Sequence, residues 1–332
     1  MKDDPHFGVG SGASALIHIT AINVSESQPI AAGQPIEVAF DRLLLPSSVT
    51  RQSLVLSDLL GNFLSPGVIY DPVSRVVRIV PATPLQPGQS YKLNIIPANS
   101  PTDGNGLRAI DGATLDPGEH SAITFPVVAP STDGGAEAAP EGGVDAGMGG
   151  GSEAGADAGV VNVAPPTVDF CASVLPIFVG RCNGSGCHGT ALPAAGLRLD
   201  SPADIAATAV GRAAQGANTG PRAAPQPGGR LFGEDMPIVD PGAPGDSWLM
   251  YKLLLAVPRS PTVASDLYSV PWGQLPDDER ATLASYVLGR EMPFPLDPAG
   301  APGTDPSTLT LDELDAVSFW IAEGAPVPPC FP

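Results

Sequence analysis

Val168-Asp169-Phe170-Cys171-Ala172-Ser173-Val174-Leu175-Pro176-Ile177-Phe178 is a short amphipathic segment that runs into Arg181-Cys182-Asn183-Gly184-Ser185-Gly186-Cys187-His188. Two thiols followed at once by a histidine satisfy the requirement of covalent haem attachment. The thiols reach the porphyrin vinyl groups, and the imidazole meets the iron from the same side. The common spacing puts two residues between the cysteines. Here Asn183 to Gly186 intervene, and Gly184 and Gly186 supply the backbone freedom to loop out and bring the thiols together. Two other chemistries fit the same residues: a Cys182–Cys187 disulfide, and a zinc site completed by Cys171, Cys330 or a distant acid. Cys-His adjacency favours haem, with His188 as proximal iron ligand.

A second axial ligand is expected downstream. Met292, in Glu291-Met292-Pro293, precedes a segment that reads as the last helix. That helix has Thr310 as N-cap, Glu313 completing a capping box, apolar positions at Leu311, Leu314, Val317, Phe319, Trp320 and Ile321, and a stop at Gly324. The expectation is that this helix packs through Phe319, Trp320 and Ile321 on the segment carrying Cys182, which aims Met292 at the haem face opposite His188. Met236, in Asp235-Met236-Pro237, is the rival, whereas Met250 sits in a helix-like run and reads as core. Cys171 and Cys330 bracket this half without metal-ligand neighbours. A disulfide is the expected pairing and two free thiols the alternative; closing so long a loop stabilises by about 4 to 5 kcal/mol in the chain-entropy treatment.

Upstream, residues 129–166 hold six acidic residues, no basic ones, and otherwise mostly Gly, Ala, Pro and Ser. Such a stretch buries too little apolar area to offset its ordering entropy, so a disordered acidic linker joining two independently moving units is expected. Before it, residues 16–128 carry seven short runs rich in Val, Ile, Thr and aromatics: LIHITAINV, PIEVAFD, SLVLSD, GVIYD, RVVRIV, YKLNII and AITFPV. Asp58-Leu59-Leu60-Gly61-Asn62, Pro87-Gly88 and Asp103-Gly104-Asn105-Gly106 punctuate them, which predicts an all-β antiparallel sandwich. His18 and His120 lie in or beside strands, away from any cysteine, and are read as structural or exposed. Residues 1–15 are expected to be disordered, and the mainly α domain to occupy 167–332.

The β segment resembles bacterial immunoglobulin-like domains of surface and exported proteins. The motifs in common are the Ala39-Phe40-Asp41 strand, the run from Val49 to Leu56, Pro81 to Tyr91, and Asp103 to Leu107. That resemblance implies a spacer or interaction module. Residues 168–327 resemble the large, divergent cytochrome c domains of planctomycete type. The shared elements, in order, are the Cys-x4-Cys-His run, Ala195-Gly196-Leu197-Arg198-Leu199, Pro241 to Leu253, Met292-Pro293 and Leu309 to Ala325. This second resemblance implies one covalently bound haem c on Cys182 and Cys187, with His188 and Met292 as axial ligands.

With both axial positions filled, electron transfer with redox partner proteins is the expected task, and the chain is expected to be a carrier and not an enzyme. No Ser-His-Asp spacing, phosphate loop or paired His-Glu motif points to a catalyst. The competing reading is a haem-free surface or binding protein with a disulfide-braced C-terminal domain. The formal charge of −19 divides as −4, −6 and −9 over residues 1–128, 129–166 and 167–332, so no segment offers the basic face that nucleic acid needs. No run of 18 apolar residues suggests a membrane span. Haem attachment implies a periplasmic, cell-surface or extracellular setting with possible envelope association, although no signal sequence is visible.

Overall fold

The computed structural model describes residues 16–99, 105–119, 121–130, 167–183, 187–189, 193–214, 232, 236–256, 275, 277–287, 292–293 and 309–330. The expected disordered N-terminus, nearly all of the expected linker, His120, and Gly184 and Gly186 of the cysteine loop lie outside these residues.

The seven anticipated strands form: β1 (Ile19–Ile22), β3 (Ile36–Phe40), β4 (Leu54–Asp58), β5 (Gly67–Asp71), β6 (Val76–Val80), β7 (Ser90–Ile95) and β8 (Ala122–Val128). An additional strand, β2 (Ile30–Ala31), is too short to announce itself by alternation. One sheet has the order β1-β3-β6-β5 and the other β2-β8-β7-β4. Pairing is antiparallel except for β2 on β8, which is parallel. Alternate residues of each sheet point inward, as the i-B-i-B-i-B pattern of β7 shows. Ile36, Val38, Leu54, Leu56, Val77, Ile79, Leu93 and Phe125 thus form a common core between the sheets. Gly61 and Gly88 take positive φ angles of 87° and 80° in the connections from β4 to β5 and from β6 to β7, which carry the chain from one sheet to the other and do not close hairpins between these strands, and a side chain there would be strained. His18 is exposed beside Asp116 and Glu119, in keeping with its structural reading.

The C-terminal half is helical. Wide helical turns at Phe170–Val174 and Phe178–Cys182 flank an α-helical turn at Leu175–Ile177 and give one continuous segment, α1. Then come α2 (Pro202–Thr208), α3 (Trp248–Leu255), α4 (Asp277–Tyr286) and α5 (Leu311–Ala322). The expected capping box of α5 is present: Glu313 N–H donates to Thr310 Oγ1 at 3.2 Å, and Thr310 N–H donates to Glu313 Oε2 at 2.8 Å. A Cys171–Cys330 disulfide, Cα to Cα 5.6 Å, fastens α1 to the chain beyond α5.

The two halves do not stand apart. Leu43, Leu45, Val73 and Ile110 of the sandwich are buried in the same apolar cluster as α3 and α5. Polar groups cross this seam too: Leu43 N–H donates to Glu279 Oε1 at 2.7 Å, Tyr286 Oη donates to the Ile110 carbonyl at 3.0 Å, and Ser318 Oγ donates to Asp71 Oδ1 at 2.7 Å. Backbone meets backbone at Gly245, where an added Cβ would lie 2.8 Å from the Tyr70 carbonyl oxygen. The expectation of two independently moving units is corrected accordingly. A low-complexity linker sets how far domains can separate, and buried apolar and hydrogen-bonded contacts decide whether they do. Phe319 requires a second correction. Instead of packing toward Cys182 it lies beneath the Arg78 guanidinium of the sandwich, 5.6 Å from ring centroid to Cζ, while Trp320 alone of that pair faces α1.

Candidate functional site

The sequence of α1 places one apolar face inward. Phe170, Val174, Ile177, Phe178 and Cys182 are all buried, and the rings of Phe170 and Phe178 contact Trp320 of α5 at centroid distances of 5.5 and 5.8 Å. Asp169 caps its start by accepting from Ala172 N–H at 3.0 Å. At the other end Arg181 pairs with Glu313 at 3.0 Å, so the residue that caps α5 also anchors the turn before Cys182. These contacts fix where α1 delivers its last residue.

Beyond Cys182 the chain folds back on itself. His188 N–H donates to the Cys182 carbonyl at 3.1 Å, Ala194 N–H to the Cys187 carbonyl at 2.8 Å, and Leu199 N–H to the His188 carbonyl at 2.9 Å. Gly189 allows this closure, since a Cβ there would collide with the Asn183 side chain. The His188 ring, 8% exposed, sets Nδ1 3.2 Å from the Leu197 carbonyl oxygen. A carbonyl can only accept, so this contact holds the proton on Nδ1 and leaves the lone pair on Nε2, the arrangement that orients a metal-binding imidazole. Burial pulls the His188 pKa below the ordinary histidine value, against the backbone hydrogen bonds that favour the charged form, and keeps the ring neutral. Burial also pushes the Cys182 thiol up to about 12, while Cys187 is exposed, and neither is joined to another cysteine.

Cys182 and His188 open onto one cavity of about 440 Å³, walled largely by apolar side chains including Leu197, Leu199, Trp248, Leu249 and Leu253. That volume falls within the range of about 300 to 1,000 Å³ usual for small-molecule and cofactor sites. Met292 lines the same cavity, its N–H donating to the Lys252 carbonyl at 3.2 Å. Met236 does not line it; that residue is 7% exposed within the core, and its carbonyl accepts from Ala214 N–H at 2.9 Å. Met250 is fully buried in the core, as its place in a helical run suggested. The cavity brings together an imidazole tied through Nδ1, Cys182, Met292 and apolar sides, whereas Cys187, the second expected attachment point, is exposed and is not among its lining residues.

The zinc alternative loses its remaining thiols, because Cys171 and Cys330 are bonded to each other. Among the described residues no group of three or more His, Cys, Asp or Glu side chains is arranged to hold a metal ion. Three participants escaped the sequence reading. The Leu197 carbonyl is a backbone group, Gly189 shows its role only once Asn183 is seen against it, and Lys252 reads as an ordinary helix cation until α3 is found buried. The first of them could have been suspected, since the Ala195 to Leu199 stretch was already singled out.

No family model and no curated protein matches this chain. Similar solved structures include the S-layer protein rSbsC, at 13% identity and a TM-score of 0.26, with 35% of this chain covering 14% of that one. Another is PcoC, a methionine-rich copper resistance protein from Escherichia coli, at 16% identity and a TM-score of 0.22, with 34% of this chain covering 99% of that one. The alpha-2-macroglobulin of E. coli is similar at 15% identity and a TM-score of 0.25, over 36% of this chain and 6% of its own. These likenesses are too slight to carry a functional argument. Among the described residues no helix is long and apolar enough to cross a membrane.

Proposed function

We propose that this chain is an exported mono-haem c-type cytochrome that transfers electrons between redox partner proteins, its helical half being a cytochrome c domain of the divergent planctomycete type and its sandwich an immunoglobulin-like module. The observation that carries the reading is the His188 imidazole, fixed through Nδ1 on the Leu197 carbonyl and sharing one apolar cavity with Cys182 and Met292. In this assignment Cys182 and Cys187 would hold the haem covalently, and His188, through Nε2, and Met292, through its sulfur, would bind its iron. A haem so held supplies a one-electron couple. The protein's residues exclude water with Leu and Trp walls, keep the imidazole neutral and oriented, and raise the potential through thioether ligation and burial. With two protein ligands on the metal, a carrier role is favoured over catalysis. Covalent haem attachment and the disulfide both suit an oxidising, extracytoplasmic compartment.

The test is a haem stain on a denaturing gel of protein made with export and haem-ligation machinery, backed by the reduced absorption spectrum. Covalent haem in the wild type is expected. Less stable attachment is expected in Cys187→Ala, and no stable holoprotein in His188→Ala. Unchanged haem content in both variants would refute the site, and a haem-free wild type would leave the surface or binding-protein reading.

A further inference from the structure

Among the described residues, the large apolar side chains that stand exposed are concentrated at one end of the sandwich. Leu59, Leu60 and Phe63 are 62%, 89% and 78% exposed, Val80 and Val128 are exposed to a lesser degree, and only Ile96 and Val179 lie elsewhere. The strand registers put the five together. Asp58 closes β4 opposite Tyr91 near the start of β7, Gly67 opens β5 opposite Val80 at the end of β6, and β8 ends at Val128 beside Ala31 of β2. The connections 32–35, 59–66 and 81–89 meet at this end and contain no charged residue, while the connection from β1 to β2 adds only Glu26. The helical half is attached at the opposite end, through Leu43, Leu45 and Asp71.

The turn that carries Leu59, Leu60 and Phe63 is also suited to a medium poor in water. Leu60 and Asn62 N–H donate to Asp58 Oδ1 at 2.9 and 2.8 Å, Asn62 Nδ2 donates to Asp58 Oδ2 at 2.7 Å, Gly61 N–H donates to the Asp58 carbonyl at 3.2 Å, and Leu64 N–H donates to the Leu56 carbonyl at 2.9 Å. Internal bonding of backbone amides is the condition that lipid imposes on a chain entering it. A second copy of this chain is a poorer match. Stable protein interfaces take roughly 20 to 30 residues a side, and five side chains on a protruding end fall well short. An anionic surface is no better, because the three connections hold no Lys or Arg and the acidic stretch 129–166 follows β8 from this end.

We infer that this end of the sandwich docks the chain on a neutral lipid bilayer, with Leu59, Leu60 and Phe63 entering the interface and the helical half held away from the lipid. The inference stands apart from the haem reading. So few side chains give reversible binding, no tighter than the partition coefficient of about 10⁴ M⁻¹ of a single acyl chain.

The experiment is flotation of the full-length chain with phosphatidylcholine vesicles, and with vesicles equimolar in phosphatidylcholine and phosphatidylglycerol. The wild type should float with the first and no better with the second. Leu60→Ser should lower the partition coefficient roughly tenfold at an unchanged melting temperature, because the side chain it shortens packs on nothing, and Val179→Ser, on α1, should float like the wild type. Leu60→Trp should show blue-shifted emission on phosphatidylcholine vesicles. A wild type left at the bottom of the gradient, a Leu60→Ser variant that floats unchanged, or stronger flotation with phosphatidylglycerol would overturn the inference. Wild-type self-association in the ultracentrifuge that Leu60→Ser abolishes, with no flotation, would also overturn it and assign the end to a second copy.

Discussion

Arg75, at the entry to β6, and Glu279, on α4, meet across the seam between the sandwich and the helical half, Nη2 to Oε2 at 2.9 Å. Glu279 is 2% exposed and its other oxygen accepts from the Leu43 amide at 2.7 Å, so both carboxylate oxygens are used and both partners come from the sandwich. Burial raises the Glu279 pKa, and the Arg75 charge opposes that rise. Removing one member of such a pair leaves the remaining groups desolvated without a partner. Glu279→Ala should accordingly cost about 3 kcal/mol. Denaturant unfolding checks it: the variant should melt earlier, with the two halves losing structure in separate steps. Wild-type stability with a single transition would mean that the seam contributes nothing in solution.

A second carboxylate at the seam gives a pH prediction. Asp315 of α5 is 3% exposed, and neither of its oxygens has a hydrogen-bond partner among the described residues. Burial is the main cause of a pKa pushed up to about 8. Asp71 of β5 and Asp312 of α5 add to the rise, and Arg78 of β6 opposes it. The folded value lies above the unfolded value of 3.8, so the contribution to stability is fully present below the unfolded value and is lost as pH rises through about 8. Melting temperature should fall from mildly acidic to mildly alkaline pH, by on the order of a few kcal/mol in stability. Asp315→Asn should flatten that slope. Parallel slopes for wild type and variant would show that Asp315 does not titrate across this range.

What the sequence disclosed divides along the range of the interactions. Strand alternation in β6 and β7, the Thr310–Glu313 cap and the Cys187-His188 adjacency depend on near neighbours, and all are present in the fold. The seam is different. Arg75 and Glu279 stand 204 positions apart, and each alone reads as a solvated charge. Phe319 likewise looks like part of one apolar helix stripe until Arg78 of the sandwich is found over it. Within the site, the donors were legible because their chemistry resides in side chains. The Leu197 carbonyl that orients His188 has no side-chain signature, and the cavity itself emerges only when α3 and the chain after α2 are brought together.

For the second iron ligand of the proposed haem the chain offers two methionine-proline pairs. Met292 lines the cavity with Cys182 and His188, and its amide is tied to the Lys252 carbonyl of α3 at 3.2 Å. Met236 is buried in the core, where its carbonyl accepts from Ala214 N–H and the chain around it pairs with the segment from Val210 to Ala213. A side chain held in that packing has another task, namely filling the core. Met292→Ala should therefore abolish the weak long-wavelength absorption that ferric thioether ligation gives and lower the potential, because a thioether stabilises the ferrous state. Met236→Ala should leave both nearly unchanged while destabilising the fold by about 2 to 5 kcal/mol, as truncation of a buried methionine does. Absorption spectroscopy and potentiometry of the two holoproteins, with thermal melts beside them, separate the roles. Loss of the band in Met236→Ala alone would transfer the ligand to Met236. Retention in both would mean that another group, or none, occupies the sixth position, and the case for a carrier over a catalyst would fall with it.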